Sequence, residues 1–403
     1  VIWNAASSHK VSQLVLEQPP SPHVSKRVVV HFPGFEPLDR ALHHARYKRT
    51  AEKTARLWDF PIEVGGLHAN GRNGFFDVRS GAKGDTETRI YVLEHDRLVR
   101  QLSDRPVSVR LVQGFRSAVR VALEGAAMAY FRHAWRFGLF FVFPFLLVTL
   151  ALIASLTIAS IPFWLALEIW YYPFGLLLGH SFFFRLFLPW SNRLHTLHLF
   201  SDWELAVAVA RLGQVPSVSG LESAVTHWLD ECVEFMRAAL KEEADEYVIT
   251  SHSMGTSMAA HALGILLARE PEMFGKKRVV FVTLGSAILQ CATFGNANAL
   301  RNRVGLIAQS REISWLDVQC LSDAVNFYKC PVVTLCGFPD APQPKIIFIR
   351  LKNMLSAERY SRIRYDFLRI HRQYVLASDK RVAFDFTLLT AGPDPASSHA
   401  GRG

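Results

Sequence analysis

The sequence predicts an α/β fold, a mostly parallel sheet flanked by helices and interrupted by an apolar helical insertion. Three observations carry this. Short apolar β-type runs alternate with longer stretches of helical periodicity, the pattern of a parallel sheet covered on both faces. One of these runs, Tyr247 to Thr250, turns through Ser253 into the Ala/Leu-rich helical stretch that holds Ala259, Ala260, Leu263, Leu266 and Leu267. Finally, residues 137–190 hold only three charged or imidazole side chains, Glu168, His180 and Arg185.

The elements follow in order. Residues 1–24 are polar and carry Pro19, Pro20 and Pro22, a flexible lead-in by composition. The chain begins at Val1, without a methionine, so an upstream targeting segment is left open. Lys26 to Phe32 is a buried-strand run closed by Pro33 and Gly34, and a basic helix is expected from Leu38 through Trp58. Residues 60–95 read as two or three antiparallel strands joined at Gly65-Gly66, Asn70-Gly71 and Gly81 to Gly84.

Gly138 to Ser160 is long enough to span a bilayer, for which about 20 apolar residues suffice. A second stretch, Phe163 to Leu188, is interrupted by Glu168, Pro173 and Gly179. Arginines flank the segment on both sides, and Trp164, Trp170, Tyr171, Tyr172 and Trp190 supply interfacial aromatics. The expected insertion is a two-pass hairpin reversing near Pro162, with both ends in the cytoplasm and Glu168 turned to the partner helix or protonated. Beyond it, Leu221 to Leu240 has the apolar stripe of a helix packed on a sheet. Lys277 to Ser286, Trp315 to Cys320, Pro331 to Cys336 and Lys345 to Leu351 are further strand candidates, and Ser356 to Ala377 reads as helical. The division is a lead-in, one domain over 25–390 containing the insertion, and a disordered tail over 391–403.

The net charge of +10 and isoelectric point near 9.5 suggest an anionic partner. No zinc-ligand spacing, RNP-like strand or basic heptad run points to nucleic acid, which leaves a phospholipid surface. Half of the residues are hydrophobic and mean hydropathy is +0.14, high for a soluble enzyme. The five cysteines read as buried free thiols. His43-His44 and His195 with His198 lack partners at ligand spacing and are assigned to a membrane-facing basic surface, so no metal is expected. Nor does a phosphate loop or dinucleotide fingerprint imply a cofactor.

Strand, tight turn with a central serine, helix is the geometry of a nucleophile elbow. At Ser251-His-Ser-Met-Gly255 the chain resembles the α/β-hydrolase superfamily, above all its lipases and esterases, with Ser251 where the motif usually has glycine. The resemblance implies an α/β-hydrolase fold and a serine hydrolase acting on carboxylic esters, lipid or acyl esters among them. Its order of nucleophile, acid and base makes Ser253 the nucleophile and His371, in Arg369 to Tyr374, the base. Asp323 is the preferred acid, because it follows a strand and its Ser-Asp-x-Val wording is similar to the family's; Asp317 and Asp340 are rivals. The oxyanion donors would be the amides of Met254 and of Phe35 or Gly34, the latter pair in His31-Phe-Pro-Gly-Phe35. Two other readings use the same residues: a catalytically inactive membrane scaffold, and an amidase, peptidase or thioesterase.

Overall fold

The computed structural model describes residues 23–70, 73–82, 84–213 and 220–401. Nine strands form one mixed sheet: β1 (Lys26–Phe32), β2 (Ile62–Val64), β3 (His68–Asn70), β4 (Asn73–Ser80), β5 (Thr86–Val92), β6 (Glu246–His252), β7 (Val279–Leu284), β8 (Ile313–Cys320) and β9 (Lys345–Ile349). Their order is β2-β4-β5-β1-β6-β7-β8-β9, with β3 on β4. From β5 to β9 every pairing is parallel, and β2, β3 and β4 add an antiparallel flank. Every residue of β6 and β7 is buried, as expected of central strands covered on both faces. Alternation divides the core: Val28, Val30, Tyr247, Ile249 and Phe281 pack on one face, and Val29, Val248, Val280, Val282 and Leu316 on the other.

Helices cover both faces. We number α1 (Arg40–Trp58), α2 (Asp96–Ser103), α3 (Val107–Leu123), α4 (Ala126–His133), α5 (Trp135–Ala159), α6 (Tyr172–Ser181), α7 (Thr196–Ala210), α8 (Gly220–Leu240), α9 (Gly255–Arg269) and α10 (Asn298–Gln309). The Asp39 side chain caps α1 by accepting from the Leu42 amide at 2.9 Å. All five cysteines are buried and free.

The insertion is rooted in the domain. One face of α5, including Phe137, Phe141, Phe145 and Val148, is buried, with Phe141 packed on Trp203 of α7 and Phe145 on Phe200. Beyond Ala151 the helix leaves the domain, and Ile153 and Leu156 are exposed. The return leg is held by small residues. A Cβ on Gly179 would lie 2.5 Å from the Ser155 carbonyl oxygen, and one on Gly175 2.6 Å from that of Ala159. The pair Gly175-x-x-x-Gly179 therefore lets α6 lie backbone-to-backbone against Ser155 and Ala159, and the Ser155 hydroxyl donates to the Gly179 carbonyl at 2.8 Å.

A strand at Pro331 to Cys336 and a disordered tail are expectations that need correction, and the apolar insertion differs in detail from its reading in the sequence. Among the described residues only α5 is long and apolar enough to cross a membrane. The expected second pass breaks into a 3-10 turn, α6 and a π-helical stretch over Phe182–Phe187. Glu168 is exposed at the hairpin tip. Pro331 to Cys336 is no strand: Val332–Leu335 forms one helical turn, because β9 already occupies the open edge of β8. The described part of the tail is ordered by the centre of the sheet. Arg27 of β1 and Glu246 of β6 form a fully buried ion pair at 2.7 Å. Arg27 also donates to the carbonyls of Gly392 and Asp394, and Glu246 accepts from the Ala396 amide. Two buried charges need these bonds, and the tail supplies them. The expected lead-in lies outside the described residues except for 23 and 24, as does Gly71 of the Asn70-Gly71 turn. Val24 is buried, its amide donating to the Pro393 carbonyl.

Candidate functional site

The site begins at the end of β6. Ser253 follows the strand with φ of 54°, a left-handed conformation for a residue with a Cβ. Such a conformation costs about 1–3 kcal/mol and persists only where its surroundings impose it. They do so here. The Ser253 amide donates to the Leu284 carbonyl at 3.1 Å, and the Thr256 amide and hydroxyl both donate to the Ser253 carbonyl. At Gly255 a Cβ would come within 2.4 Å of the carbonyl oxygens of Phe32 and Pro33, so only glycine lets the turn seat against the loop after β1. Ser251, at the position where glycine is usual, is fully buried and donates its hydroxyl to the Val282 carbonyl at 3.1 Å. A serine there is satisfied by the neighbouring strand.

His371 and Asp323 lie together after a long separation in sequence. His371 donates from Nδ1 to Asp323 Oδ2 at 2.8 Å, since a carboxylate can only accept. Asp323 is held in turn by the Tyr374 hydroxyl at 3.0 Å and by the Val325 amide at 2.9 Å. The other ring nitrogen of His371, Nε2, is buried and makes no hydrogen bond among the described residues. His252 supports the ring from behind, donating from Nε2 to the His371 carbonyl at 2.9 Å. Burial, then the charge of His371, pushes His252 down to about 3, so it stays a neutral donor.

Ser253 and His371 line one pocket, with Gly34, Phe35 and Glu36 from the loop after β1, Phe140 from α5, and His198 and Asp202 from α7. At about 30 Å³ it has room for a water molecule but not for an ester of any length. A Cβ on Gly34 would lie 3.0 Å from that of Ser253, so this loop passes directly beside the serine. Met254 is buried as the first residue after it. Glu36 fixes the loop: its carboxylate accepts from Arg46 and from Arg372, each at 2.6 Å. Despite burial, the two guanidinium groups hold Glu36 down at about 2. The ion pair to Arg372 ties the Phe35 loop to the residue next to His371.

The rival acids are placed elsewhere. Asp317 is buried inside β8, accepting from Thr283 and Gln319 at 2.7 Å each, and Asp340 is on an exposed loop. Two of the histidines assigned to a membrane-facing surface, His43 and His198, are corrected, since one is buried and the other lines the Ser253 pocket. His43 is buried beside Arg46, His44 meets the Gly65 carbonyl, and His198 packs on Phe35 with ring centroids 4.8 Å apart. Sequence reasoning missed His252, Glu36, Tyr374 and Asp202. Two of these had a signal, since His252 adjoins the elbow serine and Tyr374 is one helical turn after His371. Asp202 had none. Burial pushes it up to about 6, and Gln290 donates to it at 3.1 Å. Among the described residues no group of three or more His, Cys, Asp or Glu is placed to hold a metal ion.

The arrangement offers a strained hydroxyl, an oriented imidazole with a bare nitrogen, and a nearby backbone turn that could supply N–H donors. No protein-family model, curated protein or solved structure matches the chain.

Proposed function

We propose that this chain is a membrane-anchored serine hydrolase of the α/β-hydrolase type that cleaves carboxylic esters, with lipid or acyl esters as the substrate class. One observation carries the reading: left-handed Ser253 shares a pocket with His371, whose Nδ1 is held by Asp323 and whose Nε2 has no partner. The Ser253 hydroxyl attacks the ester carbonyl while His371 Nε2 takes its proton. The amides of Met254 and Phe35 stabilise the oxyanion. As the tetrahedral species collapses, His371 returns the proton to the departing alkoxide and an acyl-serine remains. Water, deprotonated by the same nitrogen, then releases the acid and restores Ser253. No cofactor enters.

The apolar hairpin supplies the anchor. It falls between β1 and β6, which pair directly, so both of its ends lie on the side of the membrane that holds the domain. The flanking arginines favour the cytoplasmic side. A fluorophosphonate probe tests the chemistry on the full chain in detergent: labelling is expected, and its loss in Ser253→Ala. The closed pocket favours one alternative, an inactive scaffold on the same fold. Absence of labelling in folded protein would select it. If labelling is present, a panel of esters, amides and thioesters separates the esterase from the amidase and thioesterase readings.

A further inference from the structure

A groove of about 1040 Å³ runs along α3, on a different part of the molecule from the Ser253 pocket. Its apolar wall is Val109, Val112 and Val119 from α3 and Leu152 from α5. The three valines are 39, 51 and 55% exposed, too open for a core and spaced as one helix face. Its charged lining is unevenly compensated. Arg105 pairs with Glu204 at 2.6 Å, and Glu222 with Arg211 at 3.1 Å. Arg116 and Arg120 also line the groove, one helical turn apart, and neither has an ion pair or hydrogen bond among the described residues. Two like charges at that spacing repel, and a bound anion would reverse the sign of the interaction.

Helix α3 packs along α7, with Gly114 against Phe200 and Arg105 bonded to Glu204. Phe115 also packs on Phe145 of α5, and Leu152 of α5 closes the groove. Along α3 the order is Val109, Val112, Arg116, Val119 and Arg120, so the two arginines stand among the exposed valines. A ligand fitting this lining has an anionic head and an apolar body.

The geometry points to a binding site for one anionic phospholipid, its phosphate between Arg116 and Arg120 and its acyl chains along the groove's valines and Leu152. Guanidinium forks bind phosphate oxygens with directed, charge-assisted bonds, whereas a zwitterionic head brings its own cation into competition. The site rests on the membrane-anchored reading for its supply of lipid but not on the hydrolase chemistry.

The test uses the full-length Ser253→Ala chain in detergent, so that no turnover can consume the lipid. Dioleoyl phosphatidylglycerol and dioleoyl phosphatidylcholine are titrated separately, and adducts are counted by native mass spectrometry. Retention of phosphatidylglycerol is expected at about ten-fold lower concentration than phosphatidylcholine. The double variant R116Q/R120Q should bring the two lipids within about two-fold while the melting temperature stays unchanged, because neither arginine has a partner to lose. Val112→Gln should weaken both lipids alike. Equal binding of the two lipids, or a preference that survives R116Q/R120Q, overturns the site. Displacement of phosphatidylglycerol by millimolar inorganic phosphate alone would also overturn it, by showing an anion pocket without a lipid's apolar contribution.

Discussion

Replacing Asp323 by asparagine changes one atom of the site and should remove most of its chemistry. All three groups facing the carboxylate are donors: His371 Nδ1, the Tyr374 hydroxyl and the Val325 amide. The new carboxamide can keep its one oxygen for Val325, but its nitrogen then faces His371. The ring must present a lone pair at Nδ1 and move its proton to Nε2, which leaves the serine without a base. Loss of base and orientation in such a triad is worth about 10⁴ in rate, or roughly 5.5 kcal/mol of transition-state stabilisation. The fold should lose only about 1–3 kcal/mol, the cost of one buried unsatisfied group. The assay is kcat/KM for p-nitrophenyl butyrate with full-length protein in detergent, beside Asp317→Asn and Asp340→Asn. Those two should stay within about three-fold, since neither side chain meets a histidine in the site. Activity of Asp323→Asn within about ten-fold of the parent, or a larger loss at either other aspartate, refutes the assignment.

Three further expectations follow. Asp202 titrates at about 6 in the folded chain against 3.8 for the free carboxyl, so its contribution to stability is greatest below about pH 4 and is lost as pH rises through 6. Asp202→Asn should therefore be more stable than the parent by roughly 3 kcal/mol at pH 7 and no different at pH 4, read as urea midpoints; the opposite pH trend sinks the account. Arg27→Met strands Glu246 in the core and should cost about 3–5 kcal/mol, with early proteolysis of the C-terminal residues; an unchanged tail would show that the clamp is not what orders it. Single cysteines at Val119 and Arg193, read against five buried native thiols, should react with an impermeant maleimide from the same side of the membrane. Opposite reactivity would contradict a hairpin and a single sheet containing both β1 and β6.

What the sequence disclosed depends on how local each signal was. The strands β1, β6 and β7 are built around short apolar runs, Val28 to Val30, Tyr247 to Ile249 and Val279 to Val282, and these made them legible. The Ser253 turn was equally local, needing only small residues beside a serine. The partnership of His371 and Asp323 spans 48 residues and rested on chain order, yet the two side chains do meet. Long-range compensation was illegible. Nothing in Gly-Pro-Asp-Pro-Ala396 announces that its carbonyls and amide satisfy Arg27 and Glu246. Hydropathy likewise marked 163–188 as one stretch, but it cannot register that Gly175 and Gly179 set a backbone contact with α5 or that a π-helical segment follows.

The way α5 enters the domain has a practical consequence. The helix that carries the apolar hairpin also supplies Phe140 to the wall beside Ser253, and its ring meets Phe367 four residues before His371. An anchor joined by a linker could be trimmed to give a freely soluble enzyme. Here excision of residues 137–190 would remove Phe140 from the wall beside Ser253, whereas a cut at Leu152 would keep about 18 Å of α5 between the new end and Phe140. Movement of the hairpin reaches Phe140 through α5, and Pro144, which has no N–H to donate to the Phe140 carbonyl, is the point where that helix can bend. On the membrane-anchored hydrolase reading proposed above, anchor and pocket share one helix, and turnover should depend on the thickness of the lipid in which the protein is reconstituted.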